Sequence, residues 1–562
     1  MAKNLSTSNI SRRDFLKLAA LASAAGLMQA CVPAKSPTGG PTPVPSSAVE
    51  TPVPLPAVET PVTGGELFVG EVMDPLIYDP HVASSEWVTN LSEKICEKLV
   101  YSDPASQTNY RPGLAESWEV AADGTNITFH LRKGVTFHDG TPFNAETVKY
   151  NMDRIVDPAT QSTVARALIG PYSKTEVVDA FTAKVVYATP FAPALDTFSQ
   201  GFFSMVSPTA VKKFGQDFAH NVVGTGPFMW SEYARDDHIG MVKNPDYKWA
   251  SPIFSNPGPA YLDKVTYKLV SDNNTRAGML RSGQVHILEG VPEVQVDSFR
   301  KEGYTVIAKN APGFPGAALI NTMKFPTDDV KVRQAINYGT DRASIAKAVW
   351  FNVWPPASGP LTKVTWGYDP IVESYYPYDP KKAQQTLDDA GWKTGSDGIR
   401  VKDGKRLEVS LIYAIGSWTW TELFQAQMKQ IGVDVKVVQL ESLAAGQASA
   451  KGEANISPNV ISASDPSILG LIFHSRSIGM FNWTFYKDDK LDQLLDTGAT
   501  QMDPSQRKQT YSQIQKIIMD QALIIPLAET VLLFVIRPEV HGLISDPRGL
   551  PMYLQDAWLK KS

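Results

Sequence analysis

The stretch that decides the fold is Leu114–Ile155, LAESWEVAADGTNITFHLRKGVTFHDGTPFNAETVKYNMDRI. Trp118 and Val120 flank Glu119, and Ala-Ala-Asp-Gly then supplies a turn. Ile127, Phe129 and Leu131 alternate with Thr128, His130 and Arg132. Apolar residues at every second position, with an Asp-Gly between the runs, predict two half-buried strands joined as a hairpin. A second turn is expected at His138-Asp139-Gly140. Asn144 then caps a helix, Glu146 sits near its positive end, and Val148, Met152 and Ile155 share one face. Hairpin, tight turn and capped helix make a rigid corner of a domain.

In this order, LAESWEV followed by ADGTNITFHLRKGVTFHDGTPFNAETV resembles the segment that marks the family 5 solute-binding proteins of ABC importers, receptors for peptides, nickel complexes and some oligosaccharides. Asp79-Pro80-His81, Val223-Gly-Thr-Gly-Pro-Phe228, Lys243-Asn-Pro-Asp-Tyr247 and the run Arg276–Ile287 are similar to further segments of that family. The two glycines around Thr225 are read as permitting tight backbone turns before a strand.

The chain opens with an export pattern. Arg12-Arg13 and Phe15-Leu16-Lys17 precede an apolar run, Leu18–Ala30, which is shorter than the roughly 20 residues a membrane-spanning helix needs. The paired arginines match the twin-arginine signal. Leu27-Met-Gln-Ala-Cys31 reads as a lipoprotein cleavage box, with Gln29 departing from the usual small residue, so Cys31 is the expected lipidation site. Residues 32–63, rich in Pro, Ser, Thr, Val and Ala, read as an extended tether. The expected location is therefore outside the cell, lipid-anchored at the outer face of the membrane, periplasmic or extracellular.

Removing residues 1–30 takes away four basic residues and one acidic, and the formal charge moves from −5 to −8. That argues against a nucleic-acid partner, which wants a basic face. The only cysteines are Cys31 and Cys96. Cys96 shares a helix face with Ile95 and Leu99 and reads as a buried, inert thiol.

Helices and strands alternate along the body. Asp328 is expected to cap a helix presenting Val332, Ala335 and Ile336. Asp341 caps the next, Asp379-Pro380 starts another, and Gly432 stops the helix from Thr421. Asp503-Pro504 opens a long helix carrying Tyr511, Ile514 and Ile518 on one face. The fold class is α/β. The resemblance implies the large three-part variant of the two-lobed, type II periplasmic-binding-protein-like fold, with hinge closure around the ligand. It also implies the segmentation: 1–30 signal, 31–63 lipidated Cys and tether, a discontinuous first lobe of 64–100, 222–312 and 524–562, a small inserted subdomain of 101–221, and a second lobe of 313–523.

No catalytic arrangement is legible. There is no Gly-x-Ser-x-Gly elbow and no His-Glu-x-x-His, and the eight histidines are scattered without ligand spacing. No Lys-Ser/Thr follows the Gly-rich pieces, so they are not read as phosphate loops. No metal site and no cofactor is expected, and His138-Asp139 reads as part of a turn. By resemblance, Ser84, Glu86 and Trp87 line the ligand cleft. Asn459–Pro466 resembles a second-lobe strand and turn that face the ligand. In peptide-binding members an aspartate three residues before the Asp/Glu-Pro pair meets the peptide's α-amino group; here that position is Ser462. A buried ammonium without a carboxylate costs several kcal/mol in order of magnitude. Asp465 and Glu86 are candidate replacement charges, although Asp465 also suits a turn cap before Pro466. Trp418, Trp420, Asn482, Trp483 and Phe314 complete the candidate ligand set, each aromatic having core packing as its alternative.

The function expected is a non-catalytic, monomeric receptor. It captures a peptide or similar polar solute, or an oligosaccharide on the same fold, and hands it to ABC permease subunits. A secreted hydrolase and an adhesion or chaperone-like surface protein are the alternatives from other classes.

Overall fold

A computed structural model describes residues 60–83, 86–106, 108–415, 419–550 and 552–561, without the side chains of residues 86 and 87. The opening stretch folds largely as its pattern requires. Ala115–Val120 pairs antiparallel with Asn126–Leu131, placing Trp118 opposite Phe129 and Val120 opposite Ile127. Thr182–Tyr187 and Tyr172–Asp179 extend the pair to a four-stranded sheet. Ala115–Val120 lies at the edge of that sheet, so Val120 stays 39% exposed instead of turning into the core. Asn144 closes a capping box with Thr147 on the helix Ala145–Val156, whose Val148, Met152 and Ile155 are buried. Phe129 and Phe198 meet edge to face at 5.0 Å inside this subdomain.

Two larger sheets form the rest of the body. The first has seven strands, in the order Thr305–Asn310, Val531–Ile536, Ile287–Glu289, Glu66–Glu71, Lys264–Leu269, His238–Lys243 and Phe228–Ala234. The second has five, in the order Asp434–Leu440, Glu408–Ala414, Ile456–Ser462, Gly313–Ile320 and Ile524–Ala528. The chain passes from the first sheet to the second at residues 310–313 and returns at 528–531. The two passages lie side by side, the Ala311 amide donating to the Thr530 carbonyl at 2.9 Å. Ile524–Ala528, grouped with the first lobe in the sequence reading, pairs with Gly313–Ile320 in the five-stranded sheet. Its five buried residues, IIPLA, suit a strand covered on both faces.

Two local expectations shift. The helix Val330–Tyr338 is capped by Asp329, whose carboxylate accepts from the Lys331 amide, and not by Asp328. Gly224 and Gly226 turn out not to need positive φ. A Cβ on Gly224 would lie 2.2 Å from the Ile95 carbonyl oxygen, and one on Gly226 2.7 Å from the same atom, so both are glycine because two backbones touch there. Cys96 is buried beside them, and desolvation pushes its thiol well above the ordinary range. No helix among the described residues is long and apolar enough to cross a membrane.

Candidate functional site

Between the short helix Ala194–Phe198 and the segment after the strand Ile456–Ser462 lie two adjoining, half-open cavities, one of about 500 Å³ and one of about 360 Å³. Asp196 and Asp465 belong to the walls of both. Asp196 comes from the short helix Ala194–Phe198 of the insert, and Asp465 follows the strand Ile456–Ser462 of the five-stranded sheet.

Asp465 and Arg507 form a two-pronged ion pair, with both N···O distances at 2.6 Å. Burial pushes the Asp465 carboxyl up, but the Arg507 guanidinium holds it below the usual carboxylate range. The same carboxylate accepts from the Ser467 amide at 2.8 Å, so the turn-capping role expected before Pro466 is also filled. Arg507 is fixed further by a 2.7 Å bond from Nε to the Gly498 carbonyl and stands over the rings of Trp366 and Tyr511.

Asp196 is 3% exposed. Its Oδ2 accepts from the Gln200 amide at 2.8 Å, while its Oδ1 has no hydrogen-bond partner among the described residues. Burial drives its carboxyl up to about 7, against the pull of Arg548 and with a push from Asp465. Beneath it Arg548 pairs with Asp546 at 2.8 and 3.0 Å and donates to the Ser199 carbonyl at 2.8 Å. Lys98 pairs with Glu93 and reaches the Tyr553 hydroxyl at 3.0 Å.

The residues singled out in the sequence divide sharply. Ser84 and Trp418 lie outside the described residues, as do the side chains of Glu86 and Trp87, whose backbone opens the helix Glu86–Ser92. The Asp79-Pro80-His81 turn before them is locked. Arg154 pairs with Asp79 and donates to His81 Nδ1 at 2.8 Å, leaving Nε2 to donate to the Ser204 carbonyl at 3.0 Å. Phe314 is buried in its strand against Phe473, and Trp420 is buried against Phe424. Asn482 is buried and uses its amide on the carbonyls of Phe473 and His474. Trp483, half-buried, donates to the Met480 carbonyl at 2.8 Å. None of these four lines either cavity. Ser462 ends its strand opposite Gly313, and the cavity walls begin at the next residues, Ala463, Ser464 and Asp465. His138 and Asp139 act in the turn: His138 bonds the Gly226 carbonyl at 2.9 Å, and Asp139 accepts from Ser207 at 2.6 Å.

Asp196, Tyr110, Trp366 and Arg507 were not singled out in the sequence. Arg507 did leave a trace: it falls four residues before Tyr511, on the apolar face of its helix, where a charge needs a partner. Asp196 likewise interrupts an otherwise apolar and small-residue run from Phe191 to Phe198.

Residues 109–477 match the model of the bacterial extracellular solute-binding proteins, family 5. The chain is 29% identical over 427 residues to the glutathione-binding protein GsiB of Shigella flexneri, covering 74% of this chain and 79% of that one. Among solved structures it resembles the periplasmic binding protein DppA of Helicobacter pylori in complex with the peptide STSA, at 25% identity and a TM-score of 0.76, covering 89% and 99% of the two chains. It also shares the fold of NikA from Brucella suis in complex with Fe(III)-EDTA, at 24% identity and a TM-score of 0.77, over 88% of this chain and 100% of that one.

Proposed function

The chain belongs to the bacterial extracellular solute-binding proteins of family 5 and is a solute-binding protein of an ABC importer, and from that premise we propose that it captures a peptide or similarly sized polar solute between its second lobe and the inserted subdomain. The observation that carries this reading is the pair of cavities whose walls combine Asp196 and Tyr110 of the insert with Asp465, Trp366 and Arg507 of the second lobe. Polar groups placed among aromatic and apolar walls are what a site needs to fix a small polar ligand. In this reading the passages at 310–313 and 528–531 are the hinge, and closure about it forms the surface that the permease meets. Family members are binding proteins and not enzymes, and this one captures its solute without turning it over. The solute-binding body works as a monomer, exported through Arg12-Arg13 and anchored by lipid on Cys31, with residues 32–63 as its tether.

A thermal-shift panel of di- to pentapeptides, glutathione, oligosaccharides and metal chelates tests the solute class. A ligand at about a hundredfold its Kd adds roughly 2.7 kcal/mol of stability. A peptide or glutathione shift is expected; a shift from oligosaccharides alone overturns the peptide reading. For the anchor, Cys31→Ser is expected to move the chain from the membrane fraction to the soluble one, and unchanged membrane association sinks that part.

A further inference from the structure

Three acids stand in the walls of the two cavities: Asp196, Asp465 and Asp496. Two are matched. Asp465 has Arg507, and Asp496 has Arg476 at 2.8 Å. Asp196 has no cation bonded to it among the described residues. The nearby bases are engaged elsewhere: Arg548 bonds Asp546 and the Ser199 carbonyl, and Lys98 bonds Glu93 and Tyr553. Lys309 donates to the Ser545 hydroxyl and the Asp546 carbonyl. A second polar group in the wall of the smaller cavity is in the same condition. The Ser464 hydroxyl oxygen is buried and has no partner among the described residues. Orphaned buried polar atoms are rare because each costs about 1–3 kcal/mol, and a bound ligand is one way to satisfy them.

We propose that Asp196 and Ser464 receive the primary ammonium group of the solute, so that the ligand is a compact solute with a free amine, read from the inserted subdomain and not from position 462. This rests on the peptide-sized-solute reading above and adds the group recognised. An ammonium has three donors and no acceptor, which suits a carboxylate oxygen and a hydroxyl, both lacking a donor, on residues that line one cavity. It also supplies a directly bonded cation, which Asp196, alone of the three acids, lacks among the described residues, Arg548 acting on it only at a distance. Asp465 suits this role less well, because Arg507 already matches its charge and the guanidinium and the Ser467 amide take three of its acceptor positions.

The test uses the full chain, with a tripeptide library carrying free amino termini, the same library after N-acetylation, and maltotriose, read by thermal shift and titration calorimetry. The free-amine library is expected to bind at least tenfold more tightly than the acetylated one. Asp196→Asn is expected to erase that preference, and Ser464→Ala to weaken it a few-fold. The acetylation contrast on the unaltered chain needs no variant to fold. Equal binding of the two libraries, preference for maltotriose, or a folded Asp196→Asn chain that keeps the tenfold preference overturns the inference and leaves the receptor reading standing. Silence of the unaltered chain toward all three probes overturns both.

Discussion

Arg507 and Asp465 face each other as fork and fork, with two guanidinium nitrogens each 2.6 Å from a carboxylate oxygen and both side chains largely withdrawn from solvent. The pair binds the long helix Pro504–Asp520 to the segment that follows the strand Ile456–Ser462. Removing one partner leaves a desolvated charge, which typically costs 3–5 kcal/mol. Arg507→Met is therefore expected to lower the unfolding free energy by about that much, read as a fall in the urea midpoint. Asp465→Asn in the same background should recover part of the loss, since no bare charge then remains. Equal and additive losses from the two substitutions would show that the pair is not coupled.

Glu97 sets a pH dependence of opposite sign to that of Asp465. It is buried, and desolvation pushes its carboxyl up to about 7, against hydrogen bonds from Tyr247 at 2.7 Å, Thr225 at 2.9 Å and Trp249 at 2.8 Å. A carboxyl with a folded pKa above its unfolded value binds more protons in the folded state. Its contribution is then fully present below about pH 4.5 and is lost as pH rises through about 7. Glu97→Gln is expected to narrow the fall in stability between pH 5 and pH 8 by an amount on the order of 3 kcal/mol. Asp196 slopes the same way but does so in both proteins, so the difference between unaltered chain and variant isolates Glu97. Parallel pH curves would mean that the three donors keep Glu97 ionised.

Gly313 is where the chain enters the five-stranded sheet, at φ +121, opposite Ser462. An added Cβ would stand 2.4 Å from the Ile461 carbonyl oxygen and 2.5 Å from the Ala463 amide. The backbone conformation alone costs a non-glycine residue roughly 1–3 kcal/mol, and the contact can be relieved only by displacing the strand. Gly313→Ala is expected to lower the melting temperature and to weaken solute binding, because Ala463, Ser464 and Asp465 follow directly from the displaced residue. A drop in stability with solute affinity intact would separate this glycine from the site.

The sequence made local elements plain and tertiary partners obscure. The hairpin, the Asn144 cap and the Asp503-Pro504 helix start are written in nearest neighbours, and they fold as read. Sheet order is not, because Val531–Ile536 lies between strands that precede it by more than two hundred residues. The site suffers from the same gap. Ser84, Trp87 and Ser462 came from resemblance, whereas Asp196 and Arg507 became visible only once a helix of the insert and a helix of the second lobe were seen to approach the same cavities. Phe314, Trp420 and Trp483 line neither cavity, and the ambiguity of such residues is physical: a tryptophan's large apolar area makes it as valuable inside a core as against a ligand.

Trp420 and Trp366 put that last distinction to work. Trp420 is fully buried, packs edge to face on Phe424 at 5.4 Å and lines neither cavity. Trp366 lines the smaller cavity, its ring 5.2 Å from the Arg507 guanidinium. Truncating a core tryptophan removes its transfer free energy and leaves a void, about 3–5 kcal/mol together. Trp420→Ala is therefore expected to lower stability by that amount while the ranking of solutes in the binding panel stays the same. Trp366→Ala is expected to cost less stability and to change the ranking, because it removes an aromatic wall and loosens the guanidinium beside Asp465. Melting curves and the solute panel, run on both variants, check the pair. A changed solute ranking in Trp420→Ala, with Trp366→Ala unchanged, would place the ligand on the other side of the five-stranded sheet's core from the cavities.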